Sequence, residues 1–151
     1  MTSKSKATRW IVAILLLGML ISACAPAATP ADPKTQLVDK TWVLVSYGDP
    51  AKPTPVVAGV KATSIFSADG KLTGFGSCNN YNSTYQLTGT TLSVGTVAST
   101  MMACEKPVMD QETIFLSALQ KATRVNFTSD GHLEIFYNGL TGEAKLLYTA
   151  G

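Results

Sequence analysis

The feature that most constrains the fold is a succession of short β-rich runs separated by tight turns. Ala68-Asp69-Gly70 and Ser129-Asp130-Gly131 each separate two such runs and predict β-hairpins. The first is predicted as a type I′ turn, whose two central residues both need φ > 0. Thr88-Gly89-Thr90 separates another pair of runs in the same way. Strands joined by such short turns lie side by side and antiparallel, so the chain predicts a sheet of consecutive hairpins.

The predicted strands are distributed along the chain after residue 41. They are residues 42–47, 63–66, 71–75, 85–87, 91–94, 124–127, 132–137 and 144–148. Alternation places Leu133, Ile135 and Tyr137 on one face, which indicates that at least one face of the sheet is buried. Residues 51–60 carry two prolines and predict an irregular loop. About eight strands predict a compact antiparallel β-barrel or a strongly curved sheet, because closure removes exposed edges.

One segment departs from the strand pattern and predicts a helix over residues 107–121. It contains no glycine, and Pro107 stands at a position suited to a first helical turn. Asp110 and Glu112 lie near its N-terminus, where the helix dipole favours negative charge. The apolar side at helical spacing comprises Val108, Phe115, Ala118, Leu119 and Ala122. We expect this amphipathic helix to pack on the sheet across its open face or mouth.

Residues 1–23 predict a lipoprotein signal peptide. Lys4, Lys6 and Arg9 precede an uncharged apolar run over residues 10–21. The run is shorter than the roughly 20 residues that a spanning helix needs. It ends in the letters LISAC, which resemble the lipobox cut by the lipoprotein signal peptidase. The resemblance implies that Cys24 becomes the lipidated first residue, and an ordinary secretory signal is the alternative.

Cleavage at this point changes the charge of the chain. It removes three of the 12 basic side chains and none of the 10 acidic ones, so the formal charge becomes −1. The basic character therefore belongs to the signal peptide and gives no argument for a nucleic-acid partner. The Ala- and Pro-rich residues that follow predict a semi-extended tether over 24–36, ahead of one globular domain over 37–151.

The cysteines leave several chemistries to compare. With Cys24 lipidated, Cys78 and Cys104 remain as a pair in an exported domain, and such a pair is most often a disulfide. Free thiols, a catalytic cysteine and a zinc site are the alternatives. A nucleophile needs a base, and the single histidine, His132, follows a hairpin turn and is interpreted as exposed. Zinc needs four ligands, and these residues lack that number and the spacing. We find no dinucleotide or phosphate-binding motif, and we expect no enzyme, cofactor or metal.

Three motifs occur together along the predicted domain. They are a tryptophan-bearing strand at Trp42 and Leu44, a Gly-x-Cys-Asn-x-aromatic segment over residues 76–81 followed by Tyr85, and a segment over 99–104 with the letters STMMAC. Together with the helix they resemble the META domain family, also called the heat shock protein HslJ family, over roughly residues 37–149. Ser77 and Ser83 stand where this family commonly has glycine.

The resemblance implies an antiparallel β-barrel of lipocalin-like outline with a helix packed on it, and it supplies no catalytic residue. Asn79 and Asn80, beside Tyr81 and Tyr85, form a possible binding patch. The alternative is a structural role, because asparagine side chains satisfy backbone groups in tight turns. The Met101-Met102 pair is predicted to pack in the core on a strand, and an adaptable contact surface is its alternative.

We therefore expect a non-enzymatic lipoprotein outside the cytoplasm, anchored through Cys24 to the cell membrane or the outer membrane. Its expected role is in envelope stress or in binding an envelope protein, and we expect a monomer. The alternative function is a carrier that holds a small apolar ligand inside the barrel.

The first prediction concerns the mass of the protein purified from membranes. We expect a diacyl or triacyl mass on Cys24, and no thiol that reacts with an alkylating reagent in the absence of reductant. Intact mass spectrometry before and after alkylation measures both. Alkylation of two thiols would contradict the disulfide and make Cys78 the first place to look for chemistry.

Overall fold

Ten strands form one sheet in the computed structural model, which describes residues 32–151. The strands are β1 (Thr41–Gly48), β2 (Thr54–Pro55), β3 (Thr63–Phe66), β4 (Lys71–Phe75), β5 (Asn80–Thr88), β6 (Thr91–Val94), β7 (Ala98–Ser99), β8 (Ala122–Phe127), β9 (Leu133–Asn138) and β10 (Glu143–Ala150). The order β10-β9-β8-β6-β5-β4-β3-β1 closes into a ring because β10 also pairs with β1, and all of these pairs are antiparallel. The predicted barrel is confirmed, with β2 and β7 as two additional short strands.

The hairpins are confirmed, but the predicted type I′ turn is wrong. Gly70 is the residue with positive φ (85°) in its turn, and its amide donates to the Ser67 carbonyl at 3.0 Å. The geometry is a type I turn followed by a left-handed glycine, which needs only one residue with φ > 0. Gly131 takes the same place in the later hairpin, with φ 84°.

The largest differences from the predicted strands concern β5 and β2. β5 begins at Asn80, whereas the predicted strand began at residue 85, because the polar residues 80–84 pair with β4 along a continuous register. β2 lies in the predicted loop, where Thr54 and Pro55 pair with β1 at its edge.

The two ends of the barrel are each covered by a helix. Because neighbouring strands are antiparallel, β1, β4, β6 and β9 end on the side where β3, β5, β8 and β10 begin. We call this side the α2 mouth, because α2 (Lys106–Gln120) packs against it. Phe115 of α2 points into the barrel, with its ring centroid 5.8 Å from that of Tyr81 and 6.4 Å from that of Tyr148. The opposite end, the α1 mouth, is covered by α1 (Pro33–Leu37).

The helix α1 corrects the predicted tether, which was expected to run without folded structure to residue 36. Asp32 caps the helix by accepting the Lys34 amide at 2.9 Å, and Pro33 occupies the first turn. Leu37 is 0 % exposed, and its carbonyl accepts the indole N–H of Trp42 at 2.9 Å. The folded unit therefore includes residues from Asp32 onward. The predicted signal peptide, Cys24 and the first part of the tether lie outside the described residues.

The interior of the barrel is filled by large side chains. Those that are fully buried include Tyr148, Phe66, Phe115, Leu37, Leu72, Leu92, Leu119, Leu133, Ile135 and Leu146. Phe66 and Tyr85 pack edge-on with ring centroids 5.0 Å apart. Barrels of about eight strands have an interior just wide enough for side chains. Within residues 32–151, no helix has both the length and the apolar character needed to cross a bilayer.

We expect α1 to contribute to the stability of the barrel. Leu37→Ala should lower the free energy of unfolding by about 2–5 kcal/mol, because it removes a fully buried side chain and leaves a cavity. Urea denaturation followed by tryptophan fluorescence measures this change. Lys34→Ala, at an exposed position of the same helix, is the control. Equal stability of the two variants would mean that α1 is not part of the folded unit.

Candidate functional site at the α2 mouth

A disulfide joins the turn between β4 and β5 to the segment that leads into α2. Cys78 and Cys104 are bonded, with their Cα atoms 6.0 Å apart. The predicted pairing is confirmed, so neither residue has the free thiolate that a nucleophile or a zinc ligand requires. No group of three or more His, Cys, Asp or Glu side chains suited to a metal occurs between residues 32 and 151.

A buried carboxylate lies next to this disulfide. The Oε2 atom of Glu112 accepts the backbone amides of Cys78 at 2.9 Å and Asn79 at 2.7 Å. Its Oε1 atom accepts the side-chain amide of Asn79 at 2.7 Å. The residue is 5 % exposed, so three hydrogen bonds from neutral donors replace its hydration. Among the described residues no cation pairs with it.

The location of Glu112 was not predicted, because its position near the helix N-terminus suggested only a charge that complements the dipole. A signal was nevertheless present in the sequence. Glu112 precedes Phe115 by three residues and Leu119 by seven, so it shares their helical face. Gln111 is buried on the same side of α2.

Asn79 links this carboxylate to the segment before α2. Its Oδ1 atom accepts the Thr100 hydroxyl at 2.8 Å and the Met102 amide at 2.7 Å. Its Nδ2 atom donates to Glu112 and, at 3.2 Å, to the Met102 carbonyl. A buried asparagine with all four of these bonds holds two chain segments in a single arrangement.

Gln111 makes a second link between α2 and the neighbouring loops. Its Oε1 atom accepts the Val57 amide at 2.6 Å, and its Nε2 atom donates to the Ser77 hydroxyl at 2.8 Å. Ser77 has φ 118°, a conformation that side chains disfavour. This explains why glycine suits the position, and the bond from Gln111 gives the serine hydroxyl a buried partner.

The four residues of the predicted binding patch do not form one exposed surface. Asn80 is exposed, whereas Asn79, Tyr81 and Tyr85 are buried. The Tyr81 hydroxyl lies 2.7 Å from Ser64 Oγ and donates to the Thr63 carbonyl at 2.9 Å. These contacts with the protein itself favour the structural alternative for the buried three.

A buried hydroxyl cluster lies where Tyr81 enters the barrel. The hydroxyl of Tyr148 is 3.2 Å from Ser64 Oγ, so Ser64 lies between two phenols. Burial raises the pKa of Tyr81 and that of Tyr148 well above the ordinary tyrosine value. Both phenols therefore stay protonated at physiological pH and act as hydrogen-bonding groups rather than as bases.

The segment over residues 100–105, which we call the methionine loop, exposes two apolar side chains. Met101 is 99 % exposed and Met102 is 56 % exposed, so the predicted packing of this pair in the core is wrong. The reason is that β7 ends at Ser99 and the bonds from Asn79 fix the backbone of Met102. The disulfide at Cys104 holds the other end of the loop.

An open cleft of about 660 Å³ lies beside α2 at the same mouth. Its walls are the exposed side of α2, the end of β1 and the turn between β9 and β10. Ile114 from α2 and Leu140 from the turn are exposed apolar side chains that line it, and Leu140 is 100 % exposed. Lys121, Asp49 and Glu143 are its charged residues.

Comparison with known sequences identifies the family. The sequence profile of the META domain family matches residues 35–144, which is most of the chain. The chain therefore belongs to the META domain family, as its motifs predicted. No curated protein sequence is similar enough to this chain to count as a relative.

Solved structures show the same fold. A protein from Burkholderia xenovorans determined by NMR has 24 % identity and a TM-score of 0.63, covering 84 % of this chain and 97 % of its own. A DUF4847 family protein from Bacteroides vulgatus ATCC 8482, a crystal structure, has 16 % identity and a TM-score of 0.55, covering 75 % and 93 %. At these identities the likeness extends to the fold alone.

The bonds of Glu112 lead to a prediction on stability. Glu112→Gln places an NH₂ group where a carboxylate oxygen accepts from Asn79 or from the backbone amides, so at least one donor loses its partner. We expect a loss of about 1–3 kcal/mol in the free energy of unfolding, measured by urea denaturation. Glu105→Gln, at an exposed residue without a side-chain capping bond, is the matched control. Equal stabilities would contradict a structural role for the carboxylate.

Proposed function

We propose that the protein is a non-enzymatic binding domain, held outside the cytoplasm by a lipid on Cys24, that contacts another envelope protein through the methionine loop. The observation that carries this proposal is the near-complete exposure of Met101 on a loop whose backbone is fixed. The lipid anchor rests on the sequence of residues 1–24. The association with envelope stress rests on the family resemblance.

The chemistry of methionine suits such a contact. Its unbranched, polarisable side chain adapts to different partner surfaces. Because Asn79 and the disulfide already order the backbone of the loop, less conformational entropy is lost on binding. A rigid backbone carrying two adaptable side chains therefore favours a protein partner.

Two further observations support a binding role over catalysis. The cysteines at the α2 mouth are joined to each other, and the buried carboxylate of Glu112 accepts hydrogen bonds from the protein itself. The carrier alternative gains no support from the barrel, because aromatic and aliphatic side chains occupy its interior.

A photo-cross-linking experiment in intact cells tests the binding role. We expect a photoreactive residue in place of Met101, in the full chain, to give a discrete cross-linked protein. The same residue in place of Leu140, which is equally exposed and at the same mouth, should not give that product. The two positions therefore form a matched pair.

A second substitution tests the contribution of Met102 to the same contact. Combining Met102→Ser with the photoreactive residue at 101 should weaken the cross-link, while leaving the thermal unfolding midpoint unchanged because the side chain is more than half exposed. The same product from positions 101 and 140, or no product from 101, would contradict the proposal.

A further inference from the structure

The cleft beside α2 has the size and position of a ligand site, and it is a different surface from the methionine loop. Its volume of about 660 Å³ falls within the range of roughly 300–1,000 Å³ found for small-molecule sites, and barrel mouths commonly hold such sites. We propose that it binds an amphipathic carboxylate, with the apolar chain between Ile114 and Leu140 and the carboxylate at Lys121.

The apolar walls come from two different elements. Ile114 lies on α2, and Leu140 lies on the turn between β9 and β10, so a chain placed in the cleft has an apolar side chain on each side. Ala118 and Ala144 also line the cleft and are buried, which gives it a second, deeper apolar surface. Covering the two exposed side chains would remove apolar area from water.

The charged residues that line the cleft indicate which head group a ligand would carry. Glu143 pairs with Arg124 at 2.8 Å, and Asp49 accepts the Ala51 amide at 2.8 Å in its own turn. Lys121 makes no ion pair or side-chain hydrogen bond within residues 32–151. Its ammonium is therefore the cation at the cleft that has no partner among the described residues, and it suits an anion. Asp49 accepts only a neutral amide and keeps its negative charge in its own turn.

A second donor lies next to this ammonium. Ser117 precedes Lys121 by four residues, lines the same cleft and makes no side-chain hydrogen bond in the described part of the chain. Residues four apart on a helix are surface neighbours, so the hydroxyl and the ammonium can meet the two oxygens of one carboxylate. The lysine stem is long enough to place the ammonium over the cleft rather than at the last carbonyl groups of α2.

Binding can be measured by NMR on ¹⁵N-labelled residues 32–151 with the disulfide intact. This segment contains the complete barrel, both helices and its own core, and a dispersed amide spectrum confirms its folding. Titration with decanoate should shift the amides of Ile114, Ser117 and Lys121 and those of residues 139–142. 1-Decanol, which has the same chain without the charge, should bind about tenfold more weakly.

Matched variants separate the charge from the apolar contact. Lys121→Glu should weaken decanoate binding about tenfold or more, whereas Lys34→Glu, the same charge change on α1, should leave it unchanged. Leu140→Ser should weaken both decanoate and decanol, because it removes an apolar wall without touching the core.

The source of the carboxylate is identified in a parallel titration. An acetylated tetrapeptide that ends in leucine, compared with its C-terminal amide, shows whether a peptide terminus binds as well as a free acyl acid. Cleft shifts that depend on Lys121 with either probe support the proposal. It is overturned if neither probe shifts the cleft amides, or if Lys121→Glu behaves as Lys34→Glu does. Either failure leaves the cross-link from position 101 unaffected, so the two proposals are tested separately.

Discussion

The hydrogen bonds accepted by Glu112 hold the α2 mouth together. One carboxylate fixes the backbone of residues 78 and 79 against α2, and through Asn79 it also fixes the methionine loop. If this carboxylate were absent, two buried backbone N–H groups would have no acceptor, which costs more than the bonds themselves contribute. The disulfide connects the same segments covalently, so the polar and covalent links act on one piece of chain.

The closure of the barrel explains why its candidate sites lie outside it. Phe115 enters from α2 at one mouth, and Leu37 is buried beneath α1 at the other. With the ends covered and the interior occupied by side chains, both candidate sites lie on the outer surface, where α2 and the neighbouring loops shape it. The methionine loop and the cleft beside α2 both belong to this mouth, although they differ in chemistry.

The sequence predicted the elements whose signals are local. Glycine at a fixed offset identified the hairpins at Gly70 and Gly131, and helical spacing after Pro107 identified α2. The turn type could not be derived, because Asp-Gly is compatible with two geometries that differ in the φ of the aspartate. The short helix α1 was missed because five residues have little helical preference alone, and the burial of Leu37 stabilises it.

The candidate site was harder to predict because its polar residues have two possible environments. A glutamate near a helix N-terminus is usually exposed, and only the long-range contact with residues 78 and 79 places Glu112 inside. Met101 shows the opposite case, since its apolar side chain predicted burial. Its exposure follows from the position of the next residue, Met102, whose backbone is bonded to the side chain of Asn79. Asn79 lies 23 residues earlier in the chain than Met102.

The close approach of Gly76 to Glu112 has a consequence for sequence change in this protein. A Cβ atom at Gly76 would lie 2.7 Å from Glu112 Oε2, too near for any side chain. A larger residue at 76 is therefore compatible with the fold only if position 112 shortens, and a shorter residue at 112 leaves the amides of Cys78 and Asn79 without their acceptor. The two positions form an epistatic pair, because the residues that position 76 tolerates depend on the side chain at position 112.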